Sequence, residues 1–161
     1  MRVIKNKQVI EDAWVLLPDD SAAADGDVIV SVERWNRERG ELLQRRGQTG
    51  VVLRSDEDPV AITHRDELGL IAIDFPKFVD GRGYSHARLL RERHGYSGEL
   101  RAVGNVLRDQ LYYMLRCGID SFALQDGKDI QGALSAFDEY SVTYQAAADE
   151  PRPLYRRVAR S

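Results

Sequence analysis

The segment Asp74-Phe-Pro-Lys77-Phe-Val-Asp80-Gly-Arg82-Gly-Tyr84-Ser85 packs two acids, two bases and two glycines between an apolar run and a helical pattern. A strand-to-helix connection usually takes about two to six residues and needs only a turn and a cap. Its composition therefore asks for a further role, and the residue types suggest anion binding. A helix start presents unpaired N–H groups and a partial positive charge. Arg82 lies just before one helical pattern, and Arg88 and Arg108 fall in first turns. A cation there opposes the helix dipole at a cost of about 0.3–1 kcal/mol, which an anion held between such residues would offset.

The anion-binding candidates are Lys77, Arg82, Gly83, Ser85, Asn105 and Arg108. Gly81 and Gly83 would let the backbone approach a ligand or adopt positive φ. Asp74 and His86 are the candidate acid and base. An alternative is that Asp74, Asp80 and Asp109 pair with Arg82, Arg108 and Lys77 in a surface network that stiffens the loop. Cys117 falls in the last turn of its helix, where the dipole raises a thiol pKa, and reads as structural. His64, His86 and His94 have no metal-ligand spacing with one another, and no metal site is expected. Tyr84 reads as a packing residue at a helix start, and Trp14 and Trp35 as core. No Gly-x-Gly-x-x-Gly, Walker loop or Gly-x-Ser-x-Gly elbow is present.

These residues need elements to place them. "RVIKNKQVIEDAWVLL" alternates loosely about Asn6-Lys7 and predicts an N-terminal hairpin or two edge strands. Val28–Val30 reads as a strand, followed by a helix with Ser31 as cap and Gly47 beyond its end. "GVVL", "LIAIDF", "ELRAV" and "DSFAL" read as strands, with a turn of helix begun by Pro59 between the first two. Ser85 and Asn105 are the expected N-caps of the helices after "LIAIDF" and "ELRAV". Gly95 and Tyr96 are the expected C-cap of the first. Ile130, Ala133, Leu134 and Phe137 form one face of a last helix.

Strands alternating with helices through short connections predict a single α/β domain over residues 1–145. It would have a mainly parallel sheet and right-handed βαβ crossovers, as an open doubly wound sheet or a partial β/α barrel. Residues 146–161 carry four arginines and two prolines without periodicity. They read as a mobile basic tail or an arm for a partner. In parallel folds, ligands bind at the carboxyl ends of strands, which selects Asp74–Ser85, Gly104–Arg108 and Gln125–Lys128.

Composition narrows the classes. At 161 residues, 43% apolar and 30% charged, the chain has the balance of a folded soluble domain. A net charge of −3 argues against a nucleic-acid partner. No stretch approaches a membrane span, and "MRVIKNKQVIEDAW" lacks a signal h-region, so a cytoplasmic location is expected. A single cysteine cannot hold a four-thiolate cluster, and no cofactor is predicted.

Residues 51–144, with the block "IAIDFPKFVDGRGYSHARLLRERHGYSGELRAVGNVLRDQLYYMLRCGIDSFAL" at their centre, resemble a bacterial domain-of-unknown-function family. Its members are encoded beside sulfite reductase and labelled oxidoreductases of sulfite reduction. Asn105 stands where many relatives would carry aspartate. The resemblance implies a place in sulfate assimilation, with sulfite reductase or its electron donor as partner. It supplies no catalytic residues. The expected function is an accessory role in sulfite reduction with an oxyanion bound at the sheet rim. The alternative is a small α/β enzyme, an oxidoreductase by resemblance, acting on an anionic metabolite.

Overall fold

The structure is a computed structural model that describes residues 2–76, 81–124 and 129–137. Eight strands form one sheet: β1 Arg2–Lys5, β2 Gln8–Glu11, β3 Val15–Leu16, β4 Val28–Ser31, β5 Thr49–Leu53, β6 Leu70–Phe75, β7 Glu99–Gly104 and β8 Ser121–Phe122. Their order is β2-β1-β8-β7-β6-β5-β4-β3. From β3 to β8 every pairing is parallel, while β1 runs antiparallel to both β2 and β8. Asn6 and Lys7, both at positive φ, make the two-residue turn between β1 and β2. β1 lies inside the sheet, with Val3 and Ile4 fully buried.

The described residues include four α-helices: α1 Val32–Leu43, α2 Arg82–Arg88, α3 Leu111–Arg116 and α4 Ile130–Ala133. Local chemistry explains their ends. Ser31 Oγ accepts a hydrogen bond from the Arg34 N–H at 3.1 Å and caps α1. Asp58 caps a 3₁₀ turn begun by Pro59, accepting from the Val60 N–H at 2.9 Å. α2 continues as a π-helical turn over Leu89–Arg93. It stops at Gly95, whose φ is +66°, and the Tyr96 N–H donates to the Leu90 carbonyl at 2.8 Å.

Two expected caps are displaced. α2 begins at Arg82, so Ser85 lies inside the helix, exposed. α3 begins at Leu111 after a 3₁₀ turn over Arg108–Gln110, so Asn105 stands well ahead of it. The Asn105 N–H donates instead to the Phe75 carbonyl at 2.7 Å, tying the end of β7 to the end of β6.

Strand alternation sorts the core into two clusters. Val30, Val51, Leu53, Ile71, Ile73, Leu100 and Ala102 join Trp35, Leu90, Leu111, Met114 and Phe137 in one cluster, so all four helices pack on one face. The intervening residues Ile29, Leu70 and Ala72 meet Trp14, Val52 and Val103 on the other. Helices on one face and a sheet curled as a half-barrel answer to the partial barrel of the two expected alternatives.

Gly83 shows how tightly α2 sits on β6. It is buried, and a Cβ there would come within 2.6 Å of the Phe75 ring. Its smallness thus serves helix–strand packing; its φ is not positive. Gly83→Ala should destabilise the protein by about 1–3 kcal/mol, read as an earlier urea midpoint at unchanged slope. An unchanged midpoint would contradict this packing.

Candidate functional site

The carboxyl ends of β3 to β7 gather around a cavity of 540 Å³. Its polar lining is Asp19 after β3, Ser31 at the end of β4, Arg54 after β5 and Asp74 near the end of β6. Gly104, the last residue of β7, completes the rim. Each of these residues is delivered by the end of a different parallel strand, as expected for this class of fold.

The geometry around Gly104 is restrictive. Its φ is +86°, and a Cβ would meet Asp74 Oδ1 at 2.5 Å and the Phe75 carbonyl oxygen at 2.6 Å. Only glycine leaves the Asp74 carboxyl its place. Burial raises the Asp74 pKa above the ordinary carboxylate value, opposed by the positive charge of Arg54. Ser31 Oγ donates to Asp19 Oδ1 at 2.7 Å while it caps α1. The loop bearing Asp19 is held by the buried Arg34, which donates to the Pro18 carbonyl at 2.9 Å and the Ser21 carbonyl at 2.6 Å. The rim thus offers a guanidinium for an anion and a half-buried carboxyl able to carry a proton at higher pH than usual.

A second cavity of 510 Å³ adjoins the first, sharing Leu16, Val52, Val103 and Gly104 with it. It follows the sheet face opposite the four described helices, over Trp14, Ile29 and Ala72. At its far end stand Arg101 and Asp12. Arg101 donates to both oxygens of Asp12 at 2.9 Å and to Glu99 Oε2 at 2.8 Å. Ser121 Oγ also donates to Glu99 Oε2, at 2.7 Å, and Lys5 Nζ lies 2.9 Å from Glu99 Oε1.

Of the residues expected to act, Asp74 is the one among the described residues that lines the rim cavity. Arg82, Ser85 and the buried His86 line a separate cleft with Ser55, Asp56, Glu57 and Asp58, an acidic surrounding for an anion. Arg108 lines a third cavity of 320 Å³ and donates to Ser135 Oγ at 2.7 Å. Lys77, the segment Gln125–Lys128 and the 146–161 tail lie outside the described residues. Among the described residues no group of three or more histidine, cysteine or acidic side chains could hold a metal.

Cys117 is fully buried, and burial pushes its thiol pKa up against the opposing charge of Arg88. Tyr84 packs edge-on between Phe75 and Tyr113, at centroid distances of 5.2 and 4.8 Å. Trp35 is core and donates its Nε1–H to the Thr63 carbonyl at 2.7 Å, whereas Trp14 is half-buried on the face opposite the described helices. Sequence reasoning gave Arg54 and Asp19 no role and read Ser31 only as a helix cap. Their one available signal was position: each sits at or just after the end of a strand.

No helix among the described residues is long and apolar enough to cross a membrane. No curated protein matches the chain. The profile of a bacterial protein of unknown function (DUF934) matches residues 50–155, a span holding β6 to β8, all of β5 but Thr49, and Arg54, Asp74 and Gly104. Since that match covers most of its length, the chain belongs to this bacterial DUF934 family.

Proposed function

We propose that the protein is an accessory protein of assimilatory sulfite reduction that binds an oxyanion at the carboxyl rim of its sheet. One observation supports the oxyanion: Asp74, which opens the conspicuous loop, lines the same cavity as Arg54. A guanidinium offers paired donors that match a planar or tetrahedral oxyanion. The accessory role rests on the resemblance and on residue arithmetic, because one cysteine cannot hold a four-thiolate iron–sulfur cluster within this chain. Sulfite reductase or its electron donor would be the partner, in the cytoplasm. The exposed Arg82 and Arg108, Ser85, Lys77 and the basic tail are then docking candidates.

A strain lacking the gene tests the pathway. It should grow on cysteine or sulfide and fail on sulfate and sulfite as sulfur source. Growth on sulfite equal to wild type would remove the assignment.

A second reading, a small enzyme acting on an anionic metabolite, is favoured by the raised pKa of Asp74, which suits a general acid. His86 lines the other cleft, so Asp74 would act without it. Both readings share one pH dependence. A protonated Asp74 donates to a bound anion, while an ionised one repels it. Sulfate affinity should therefore rise as pH falls through the Asp74 pKa, and Asp74→Asn should flatten the dependence. A calorimetric profile that stays steep in Asp74→Asn would place the titrating group elsewhere.

A further inference from the structure

A bare oxyanion would fill only the Arg54 end of the space available. The rim cavity shares Leu16, Val52, Val103 and Gly104 with the 510 Å³ trough, which is also lined by Trp14, Ile29 and Ala72. Binding sites for small organic molecules occupy about 300–1,000 Å³ and pair apolar walls with a few placed polar groups. Charge is distributed unevenly along this trough. At its far end Arg101 and Asp12 satisfy each other through two hydrogen bonds, so that end calls for no ionic partner. At the rim end the exposed Arg54 shares the cavity with the carboxyls of Asp19 and Asp74, so an anion there is met by the guanidinium and by Asp74 in its protonated form.

We infer that the joined cavities take an organic anion, with its charged sulfonate- or phosphate-like group at Arg54 and an apolar, ring-sized body along Trp14, Val52 and Val103. This assignment rests on the oxyanion reading of the rim and names the class of molecule that carries the oxyanion. The half-buried Val52 and Val103 gain most, since a bound ring would cover apolar surface that now faces solvent. The fully buried Leu70 belongs to the same apolar cluster.

Naphthalene-1-sulfonate is the probe, titrated calorimetrically into the full chain beside sulfate and the uncharged 1-naphthol. The sulfonate should bind at least about tenfold more tightly than either comparator, because only it uses both ends. Trp14→Ala, at a half-buried residue that lines the trough but not the rim cavity, should weaken the sulfonate about tenfold and leave sulfate affinity near wild type. Arg54→Ala should weaken sulfonate and sulfate alike.

If sulfate binds through Arg54 but the sulfonate binds no better, the trough assignment fails while the oxyanion reading stands. If neither ligand binds, both fail. Sulfonate binding that ignores Trp14→Ala would also overturn the trough. So would a dimer in sedimentation that dissociates on adding the sulfonate, or binding that appears only after residues 138–161 are removed. Those results would give the trough to a second copy or to that segment.

Discussion

Replacing Arg101 with methionine should cost about 3–5 kcal/mol of stability and lower the melting temperature by about 6–20 °C. Arg101 is 3% exposed on β7 and holds Asp12, 89 residues earlier in the chain, through two hydrogen bonds. It also donates to Glu99 and Ser121, and Lys5 closes on Glu99 from β1. The cluster therefore fastens the antiparallel β1–β2 end to the parallel part of the sheet. Methionine fills similar volume but leaves Asp12 and Glu99 as buried charges short of their partner, which is the costly half of breaking an ion pair.

The same cluster sets a pH signature. Burial alone would raise the Glu99 pKa, yet hydrogen bonds from Lys5 and Ser121, together with the charge and hydrogen bond of Arg101, outweigh it and hold the pKa below the ordinary value. A lowered folded pKa means stability that is fully present above the unfolded carboxylate value of about 4.3. That stability is lost as pH falls through the lower folded value. In Arg101→Met the acid limb of the melting profile should move to higher pH. A melting temperature within experimental scatter of wild type would show that the cluster holds nothing together.

Gly104→Ala should be nearly as damaging and should also disable the rim. A side chain at φ +86° costs about 1–2 kcal/mol, and the clash with Asp74 Oδ1 and the Phe75 carbonyl adds about 1–3 kcal/mol. The Phe75 carbonyl already accepts the Asn105 N–H, so it has little room to yield. The Asp74 carboxyl is the softer neighbour and would be pushed out of its place in the rim. Chemical denaturation should show the loss of stability, and sulfate titration the loss of the steep pH dependence. Retention of both would mean that the tight approach of β6 and β7 is not what places Asp74.

Much of the scaffold was legible because its causes are local. Ser31 before a helical pattern, Asp58 before Pro59, and Gly95 followed by Tyr96 each act within a few residues. The displaced caps have a physical reason. Ser85 and Asn105 are good cap chemistry, but α2 packs Gly83 against Phe75 and so starts earlier. The chain after Asn105 spends its first residues on a link to Phe75 and a 3₁₀ turn. The apolar run "LIAIDF" showed burial on both faces but not that the described helices all lie on one of them. Arg54 and Arg101 were hidden for a similar reason: their partners are brought close by strand order, which no spacing along the chain records. Arg82 and Arg108 drew attention as cations at helix starts, yet they line separate cavities.

The central claim is that an anion is held where the strand ends bring Arg54 to Asp74, and calorimetric titration of sulfite into paired variants tests it most directly. Arg54→Ala should abolish the binding heat at millimolar sulfite, while Arg82→Ala with Arg108→Ala should retain it. Full binding in Arg54→Ala, or its loss in the double variant alone, would contradict the account and move the anion away from the rim.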